Sequence, residues 1–145
     1  MAKVSCTAAQ VAPVSNTQPE IITLVANAAV ERGDVLAVDA TTGKAVPCEA
    51  ASGKALGVVG IALNKVAAGQ VVSVLIRGFC AGWTLSGNYG SLVYTSATAG
   101  EAADALVTEF GRVLGIVLPV NGSKGLFICP RVAFDVAEGV AASGS

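Results

Sequence analysis

Hydrophobic positions along this chain fall into short apolar runs separated by loops that contain glycine, a spacing typical of β-strands. Residues 57–79 show the pattern best. Two valine-rich runs flank the sequence Ala67-Ala68-Gly69-Gln70, and the only charged residues in the stretch are Lys65 and Arg77. The pattern predicts two short strands joined by a turn.

The same order of apolar runs and glycines occurs twice. From residue 33 the chain reads "GDVLAVDATTGKAVPCEAASGKALGVVGIAL", and from residue 90 it reads "GSLVYTSATAGEAADALVTEFGRVLGIVLPV". Four glycines of the first copy match four of the second at separations of 57, 57, 58 and 58 residues. Repeated glycines indicate turns with positive φ or close approaches of two backbones. We predict two similar β units, residues 33–79 and 90–134; chance similarity between glycine- and valine-rich segments is the alternative.

Short strands and turns are also predicted inside each unit. "VLAVD" and "LVYTS" are rich in β-formers, and a turn that ends in glycine follows each of them. Pro47 restricts the next segment of the first unit to an edge or a bulge. Its counterpart, "EAADALVTEF", is rich in helix formers, but its relation to the proline-containing segment favours a strand or loop.

The regions outside the repeat differ in character from the predicted strands. Residues 1–19 mix polar residues with two prolines and show no hydrophobic period, which predicts an extended N-terminal arm. Fully stretched, the arm would span about 60 Å, enough to cross a neighbouring subunit. Residues 135–145 are small and polar and predict a flexible C-terminal tail. The fold prediction is an all-β domain over residues 20–134, resembling a small β-barrel or β-sandwich.

Composition suggests that part of the surface is covered by other molecules. The chain is 53% hydrophobic and 13% charged, against roughly 25% charged residues in typical soluble domains. A surface with so few charges is expected to be buried against a partner or against copies of the same chain. Nine scattered basic residues and a net charge of −1 argue against direct nucleic-acid binding. We expect no signal peptide and no membrane span, and a protein made in the cytosol.

Residues for catalysis or for a cofactor are scarce. The chain has no histidine, which excludes a Ser/His/Asp triad, and its ten acidic residues form no close pair for acid–base chemistry. The four cysteines lie more than 30 residues apart without a CxxC pair, which favours reduced, buried thiols over a zinc site. We therefore expect no enzymatic activity, no metal and no cofactor. A disulfide or a reactive thiol is the less favoured reading of the cysteines.

Two local matches to known binding motifs offer alternatives. The segment "VERGDVLAVDATTGKAV" is similar to the entry of biotinyl and lipoyl carrier domains, which implies Lys44 as a modified residue or, more broadly, a small-ligand barrel that uses Lys44 or the loop around Trp83. The family's Met-Lys or Asp-Lys dipeptide is absent, as is its companion half-motif. Arg32-Gly33-Asp34 also spells an integrin-binding tripeptide, but the repeat already accounts for its glycine.

The order of the strands and turns resembles the capsid decoration, or cement, proteins of tailed bacteriophages. The residues that carry the resemblance are 33–39, 53–63 and 67–78, with a second copy at 90–117. The resemblance implies a β-rich homotrimer that binds the outer surface of the expanded head and clamps neighbouring major capsid subunits. It also implies that an N-terminal arm reaches over adjacent subunits. A phage tail or spike component is a further alternative.

The resemblance implies a structural virion protein that is assembled in the host cytoplasm and located on the capsid. Its partners would be the major capsid protein and copies of itself. On this reading, deletion of residues 2–19 should leave the fold intact but weaken attachment. The candidate capsid-binding residues of the arm are Val4, Val11, Pro13, Val14 and Pro19. The candidate oligomer or rim contacts are Arg77, Trp83 and Arg131, with a solvated strand end as the alternative for Arg77 and a packing anchor for Trp83.

Overall fold

The computed structural model describes residues 3–14, 18–50, 57–106 and 111–130. These residues form β-strands and one short 3-10 helix at Ala8–Gln10. The all-β prediction is confirmed. The strands are β1 (Lys3–Val4), β2 (Ala12–Pro13), β3 (Glu20–Val25), β4 (Val35–Val38), β5 (Ala45–Pro47), β6 (Val58–Ala62), β7 (Val71–Ala81), β8 (Leu92–Thr95), β9 (Ala102–Ala103), β10 (Val113–Val120) and β11 (Ser123–Ile128).

The strands form one curled antiparallel sheet. Its order is β1-β9-β8-β10-β11-β7-β6-β4-β5, and β2 and β3 also pair with β7. β7 holds the sheet together because its first half pairs with β3 and β6, and its last residues pair with β2 and β11. The eleven-residue "VVSVLIRGFCA" can serve both halves because it is nearly uncharged and rich in β-branched residues.

The two similar segments of the sequence pair in the same way. β4 lies between β5 and β6, and β6 pairs with β7; correspondingly, β8 lies between β9 and β10, and β10 pairs with β11. The two sets of four strands meet where β7 pairs with β11. The sheet is therefore built from two like-ordered halves.

The strand register aligns the two halves differently from the glycine blocks. Gly60 lies opposite Leu36, and Gly115 lies opposite Val93, next to an irregularity of register in each pair. Gly60 and not Gly57 is thus the counterpart of Gly115, and "VVGIAL" corresponds to "VLGIVL". The alignment of the two glycine blocks in the sequence was therefore off by three residues from the alignment of the strands, because each block contains more than one glycine.

Close backbone packing explains why glycine stands at these two places. A Cβ atom at Gly60 would overlap the carbonyl oxygen of Leu75, and one at Gly115 would overlap that of Phe127. Because the neighbour is backbone in both cases, it cannot rotate away. Each half therefore needs a residue without a side chain where its two strands approach most closely.

Two clusters of buried side chains form the core. The larger cluster draws on both halves and on the N-terminal segment: Val4, Val11, Val35, Ala37, Cys48, Ala50, Ile61, Leu75, Cys80, Val93, Ala102, Leu114, Val117, Leu126 and Ile128. The smaller cluster lies in the first half: Ala26, Val30, Leu36, Ala45, Ala62, Val66, Val72 and Val74. Since the larger cluster spans both halves, the two halves share one hydrophobic core.

The described part of residues 1–19, which the sequence predicts as an extended N-terminal arm, packs onto the sheet. β1 pairs with β9, and β2 pairs with the end of β7. Val4 and Val11 are only 9% and 0% exposed. The Nε atom of Arg32 donates a hydrogen bond to the Val11 carbonyl at 2.7 Å. The segment shows no hydrophobic period because it forms only two-residue strands, yet it covers sheet edges that would otherwise be open.

Other predictions fall partly or wholly outside the described residues. In "EAADALVTEF" the structure has β9 at Ala102–Ala103, as the strand interpretation expects, and residues 107–110 lie outside the described part. The predicted tail at residues 135–145 lies wholly outside it.

Candidate assembly surface

The three remaining candidate residues of the arm lie along β7. Pro13 pairs with Cys80, and the Val14 N–H donates to the carbonyl oxygen of Phe79 at 3.1 Å. Pro19 is half-buried, and its backbone packs beside β7. None of the five candidates stands away from the domain. Each of the five residues packs against or pairs with other parts of the domain. Their role in capsid binding stays a prediction.

The predicted rim residues have different environments. Arg77 is exposed, and its guanidinium carbon lies 5.6 Å from the ring centroid of Phe127. Trp83 is half-buried against the larger core cluster, and its Nε1–H donates to the Cys80 sulfur at 3.3 Å. Arg131 lies outside the described residues. Arg77 is therefore available at the surface, whereas Trp83 acts as a packing anchor in this chain.

Several exposed apolar side chains lie together at β3. In the described chain β3 pairs along its length with β7, and its other edge is bridged to the start of β5 at one end, between Ala26 and Ala45. Five of its six residues are exposed, and only Leu24 is half-buried, against the smaller core cluster. Sequence reasoning missed this surface because the apolar run "IITLV" is also what a strand buried on both faces looks like. The adjacent Glu20 was the only available sign of exposure.

Hydrogen bonding shows which backbone groups of β3 point outward. The Ala26 N–H donates to the Gln70 carbonyl at 2.8 Å, so the backbone groups two and four residues earlier, at Leu24 and Ile22, also face β7. The alternating positions Ile21, Thr23 and Val25 direct N–H and C=O away from β7. Just beyond β3 this outward side meets the start of β5: the Asn27 N–H donates to the Ala45 carbonyl at 2.8 Å, in a parallel bridge between Ala26 and Ala45.

The side chains at these outward positions also form an apolar surface. Ile21, Thr23 and Val25 lie on one face of the strand, and Val71, directly opposite Val25, lies on the same face. The exposed fractions are 46% for Ile21, 39% for Val25 and 55% for Val71. We call these four residues the edge face. These exposed side chains lie along the outer edge of β3, which is bridged to β5 at its C-terminal end.

A shallow cavity at the other end of the sheet offers little chemistry. It has a volume of about 320 Å³ and is lined mainly by apolar groups and serines: Val4, Leu85, Ser86, Gly87, Ser91, Leu92, Val93, Asp104 and Val117. Asp104 is the only titratable group in this lining. The titratable and hydroxyl groups of the lining are thus one carboxyl group and two serines.

The thiols are free and held in their protonated form. Burial raises the pKa of Cys48 to about 12 and that of Cys80 to about 11, and burial also raises the pKa of Cys6 and of Cys129. The thiolate is the form that attacks electrophiles and binds metals. The cysteines are therefore suited to packing and not to nucleophilic chemistry near neutral pH.

Asp34, from the integrin-like tripeptide, has a structural role. Its Oδ2 accepts a hydrogen bond from the Glu31 N–H at 2.9 Å. Burial raises the pKa of the Asp34 carboxyl, and the nearby Glu31 charge adds to this. The neighbouring Arg32 binds the N-terminal segment, as described above. Among the residues that the structure describes, no group of three or more cysteine, aspartate or glutamate side chains is placed to hold a metal ion.

Lys44 lies at the end of an exposed hairpin turn. The Asp39 carboxylate accepts hydrogen bonds from the backbone of Thr41 at 2.8 Å and of Thr42 at 2.9 Å, which orders the turn. The Gly43 N–H donates to the Asp39 carbonyl, and Lys44 follows with an exposed side chain. Modification of Lys44 stays a prediction.

Comparison with known proteins adds no further constraint. No family model, curated protein or solved structure matches the chain. Within the described ranges, no helix has the length and apolar character needed to cross a membrane.

Proposed function

We propose that this chain is a structural virion protein of a tailed bacteriophage, which binds the outer surface of the capsid as a homotrimer. It clamps neighbouring major capsid subunits and so stabilises the head. The proposal rests on the resemblance of the strand-and-glycine pattern to capsid decoration proteins, together with the surface of the domain.

The edge face is the observation that carries the proposal. The edge face carries exposed isoleucine and valine side chains on a strand whose outer edge is bridged to β5 at one end, and such a surface is an aggregation hazard on an isolated domain. Such a surface suits a protein that works inside an assembly, where another molecule covers it. The low share of charged residues, 13%, points in the same direction.

The construction of the domain suits a mechanical role. β7 pairs with four other strands, and the N-terminal segment is hydrogen-bonded to it along the same strand. A force applied to one half of the sheet would pass to the other half through the hydrogen bonds between neighbouring strands. Three copies in one trimer would attach at several points, and this avidity allows tight attachment from modest single contacts. Exposed Arg77, stacked on Phe127, is a suitable rim contact.

Binding to heads tests the proposal directly. The purified protein would be mixed with expanded heads of the phage that encodes it, prepared without the protein, and sedimented. We expect it to sediment with the heads and to raise their resistance to heat, and light scattering should give three times 14.3 kDa for the free protein. A bovine serum albumin control measures trapping in the pellet. A chain that leaves both sedimentation and head stability unchanged would contradict the proposal.

The second candidate function is a small-ligand or prosthetic-group carrier. It is favoured by one observation, the exposed Lys44 beside an ordered hairpin turn. Intact-mass spectrometry of protein from its native host separates the two functions. A mass adduct that disappears in Lys44→Arg would support the carrier, whereas the unmodified mass favours the structural role. Negative-stain labelling of the tail instead of the head would favour the tail or spike alternative.

A further inference from the structure

The two halves of the sheet carry equivalent rows of apolar side chains that run across the strands. In the first half the row crosses β4, β6 and β7, and its members are Val35, Ile61 and Leu75. In the second half the row crosses β8, β10, β11 and β7, and its members are Leu92, Ile116, Phe127 and Phe79. We call these four residues the outer row. The correspondence is set by Gly60 and Gly115, because Ile61 and Ile116 follow them directly.

The two rows differ in burial although their register is the same. Val35, Ile61 and Leu75 are 0% exposed, and they share the larger core cluster with side chains of the second half. Leu92 is 39% exposed, and the other members of the outer row are half-buried. Since the row of the first half is covered by a second β half, the repeat indicates that a β half of the same kind covers the outer row.

The edge face matches the outer row in length. The outer row crosses four strands that are about 4.8 Å apart, so it is about 14 Å long. From Ile21 to Val25 the edge face spans four residue steps along β3, which is about 13 Å. Strands of packed sheets can cross at near right angles, so β3 of one copy can lie along the outer row of another.

The charges beside the two surfaces are also complementary. The Arg77 guanidinium carbon lies 5.6 Å from the centroid of the Phe127 ring, near one end of the outer row. Glu20 lies at one end of the edge face. Although Glu20 is opposite Arg77 in the register of β3 and β7, neither takes part in an ion pair among the described residues. One orientation between copies brings Glu20 to Arg77 and, at the other ends, Val71 to Leu92.

The outer row and the edge face of one chain lie too far apart to meet. Val71 and Phe79 are the first and the ninth residues of β7, which places them about 26 Å apart in an extended strand. The outer row can therefore take only the edge face of another copy. This contact uses side chains and needs no hydrogen bond to the outer edge of β3, which is bridged to β5 at its end.

We propose that the outer row of each copy binds the edge face of the next copy, head to tail, and that three copies close into a ring. This inference rests on the proposed homotrimer and names the surfaces that join it. A three-fold ring joins two different surfaces of neighbouring copies, and the chain carries one of each. In the closed ring the β halves follow one another, and both rows of every copy are covered.

Two single substitutions separate the two sides of the contact. Leu92→Lys places a charge on the outer row, and Val71→Lys places one on the edge face, at a side chain that is 55% exposed. We expect each variant alone to self-associate about tenfold more weakly than wild type. Ala99→Lys, at an exposed turn residue outside both surfaces, is the control and should associate like wild type. Sedimentation equilibrium measures the association, and far-ultraviolet circular dichroism checks that each variant is folded.

Mixing the two variants distinguishes a head-to-tail contact from a face-to-face contact. The Val71→Lys chain keeps its outer row, and the Leu92→Lys chain keeps its edge face, so one copy of each can form an unaltered contact. The ring cannot close, because both remaining surfaces carry a lysine. We therefore expect the mixture to associate about tenfold more tightly than either variant alone and to stop at the dimer.

Thiol crosslinking tests which residues meet. A chain with both Leu92→Cys and Val71→Cys should be linked by a short bismaleimide into covalent dimers and trimers, since position 71 of one copy faces position 92 of the next. Each single variant should crosslink no more than wild type, which measures the background from the four native cysteines. The reaction is carried out in solution and on sedimented heads.

Several outcomes would overturn the contact. These are single cysteine variants that crosslink as strongly as the double variant, a Val71→Lys chain that self-associates like wild type, and a mixture that associates no more tightly than either variant. Crosslinks only within one chain, or only to a capsid subunit, would show that another segment or the capsid covers the outer row. Rings that crosslink as expected but do not sediment with heads would contradict the capsid proposal alone, whereas head binding without links between copies would contradict only the contact.

Discussion

Substitution of Val11 by alanine tests whether the N-terminal segment belongs to the domain. Val11 is fully buried in the larger core cluster, although its sequence context predicts an arm. The substitution removes two methyl groups, which are worth about 1.6 kcal/mol in transfer free energy. The cavity left behind adds to this, for a total loss of about 2.5 kcal/mol. In a chain of this size, that loss lowers the Tm by about 8 °C.

The assay is thermal and urea unfolding of Val11→Ala and wild type, followed by circular dichroism. Val71→Ala is the control because it makes the same chemical change at a side chain that is 55% exposed, and its free energy of unfolding should change by less than about 0.5 kcal/mol. Equal effects of the two substitutions would refute the reasoning, since burial is the only basis for the difference. If Val11→Ala kept full stability but lost head binding, residues 1–19 would act as a free arm after all.

Three further predictions concern glycine packing and ionisation. Gly115→Ala should lower the free energy of unfolding by about 3 kcal/mol, because the added Cβ would overlap the Phe127 carbonyl. Gly122 has open space around it and a positive φ, so Gly122→Ala should lower the free energy of unfolding by only about 1 kcal/mol. Urea unfolding measures both values, and equal losses would contradict the close approach of the backbone at Gly115. Burial raises the pKa of the Cys48 thiol from 9.0 in the unfolded chain to about 12 in the folded chain, so its contribution to stability is complete below pH 9 and is lost as the pH rises toward 12. At pH 10 the loss in the free energy of unfolding is about 1.4 kcal/mol. Urea unfolding at pH 9 and near pH 12 should show a smaller loss in Cys48→Ala than in wild type, and an equal loss would count against burial as the cause. The pKa of Asp34 is raised in the folded chain, so its contribution to stability is complete below pH 3.8 and is lost as the pH rises through the folded pKa. Asp34→Asn should therefore raise the Tm at neutral pH and reduce the change in Tm across the acid range. A lower Tm at neutral pH would show that the charged carboxylate is the stabilising form.

Local features of the chain could be interpreted correctly from the sequence. Short apolar runs between glycine-containing loops indicated an all-β chain, and Thr41-Thr42-Gly43 indicated the hairpin that the Asp39 carboxylate orders. The duplicated order of strands was visible in the same way. These features depend on contacts between residues close in sequence, such as turn geometry and β-propensity, so the chain itself carries the signal.

The environment of each strand required the tertiary structure. Val11 stands among polar residues and prolines, yet it is buried because the end of β7 and β9 leave edges that the N-terminal segment covers. "IITLV" reads as a buried strand, yet most of β3 is exposed, because within the described chain it pairs along its length with β7 alone and meets β5 at its C-terminal end. Gly60 replaced Gly57 as the counterpart of Gly115 once the register was known. In each case the outcome depends on which distant backbone lies alongside, and local propensity and period do not encode that choice.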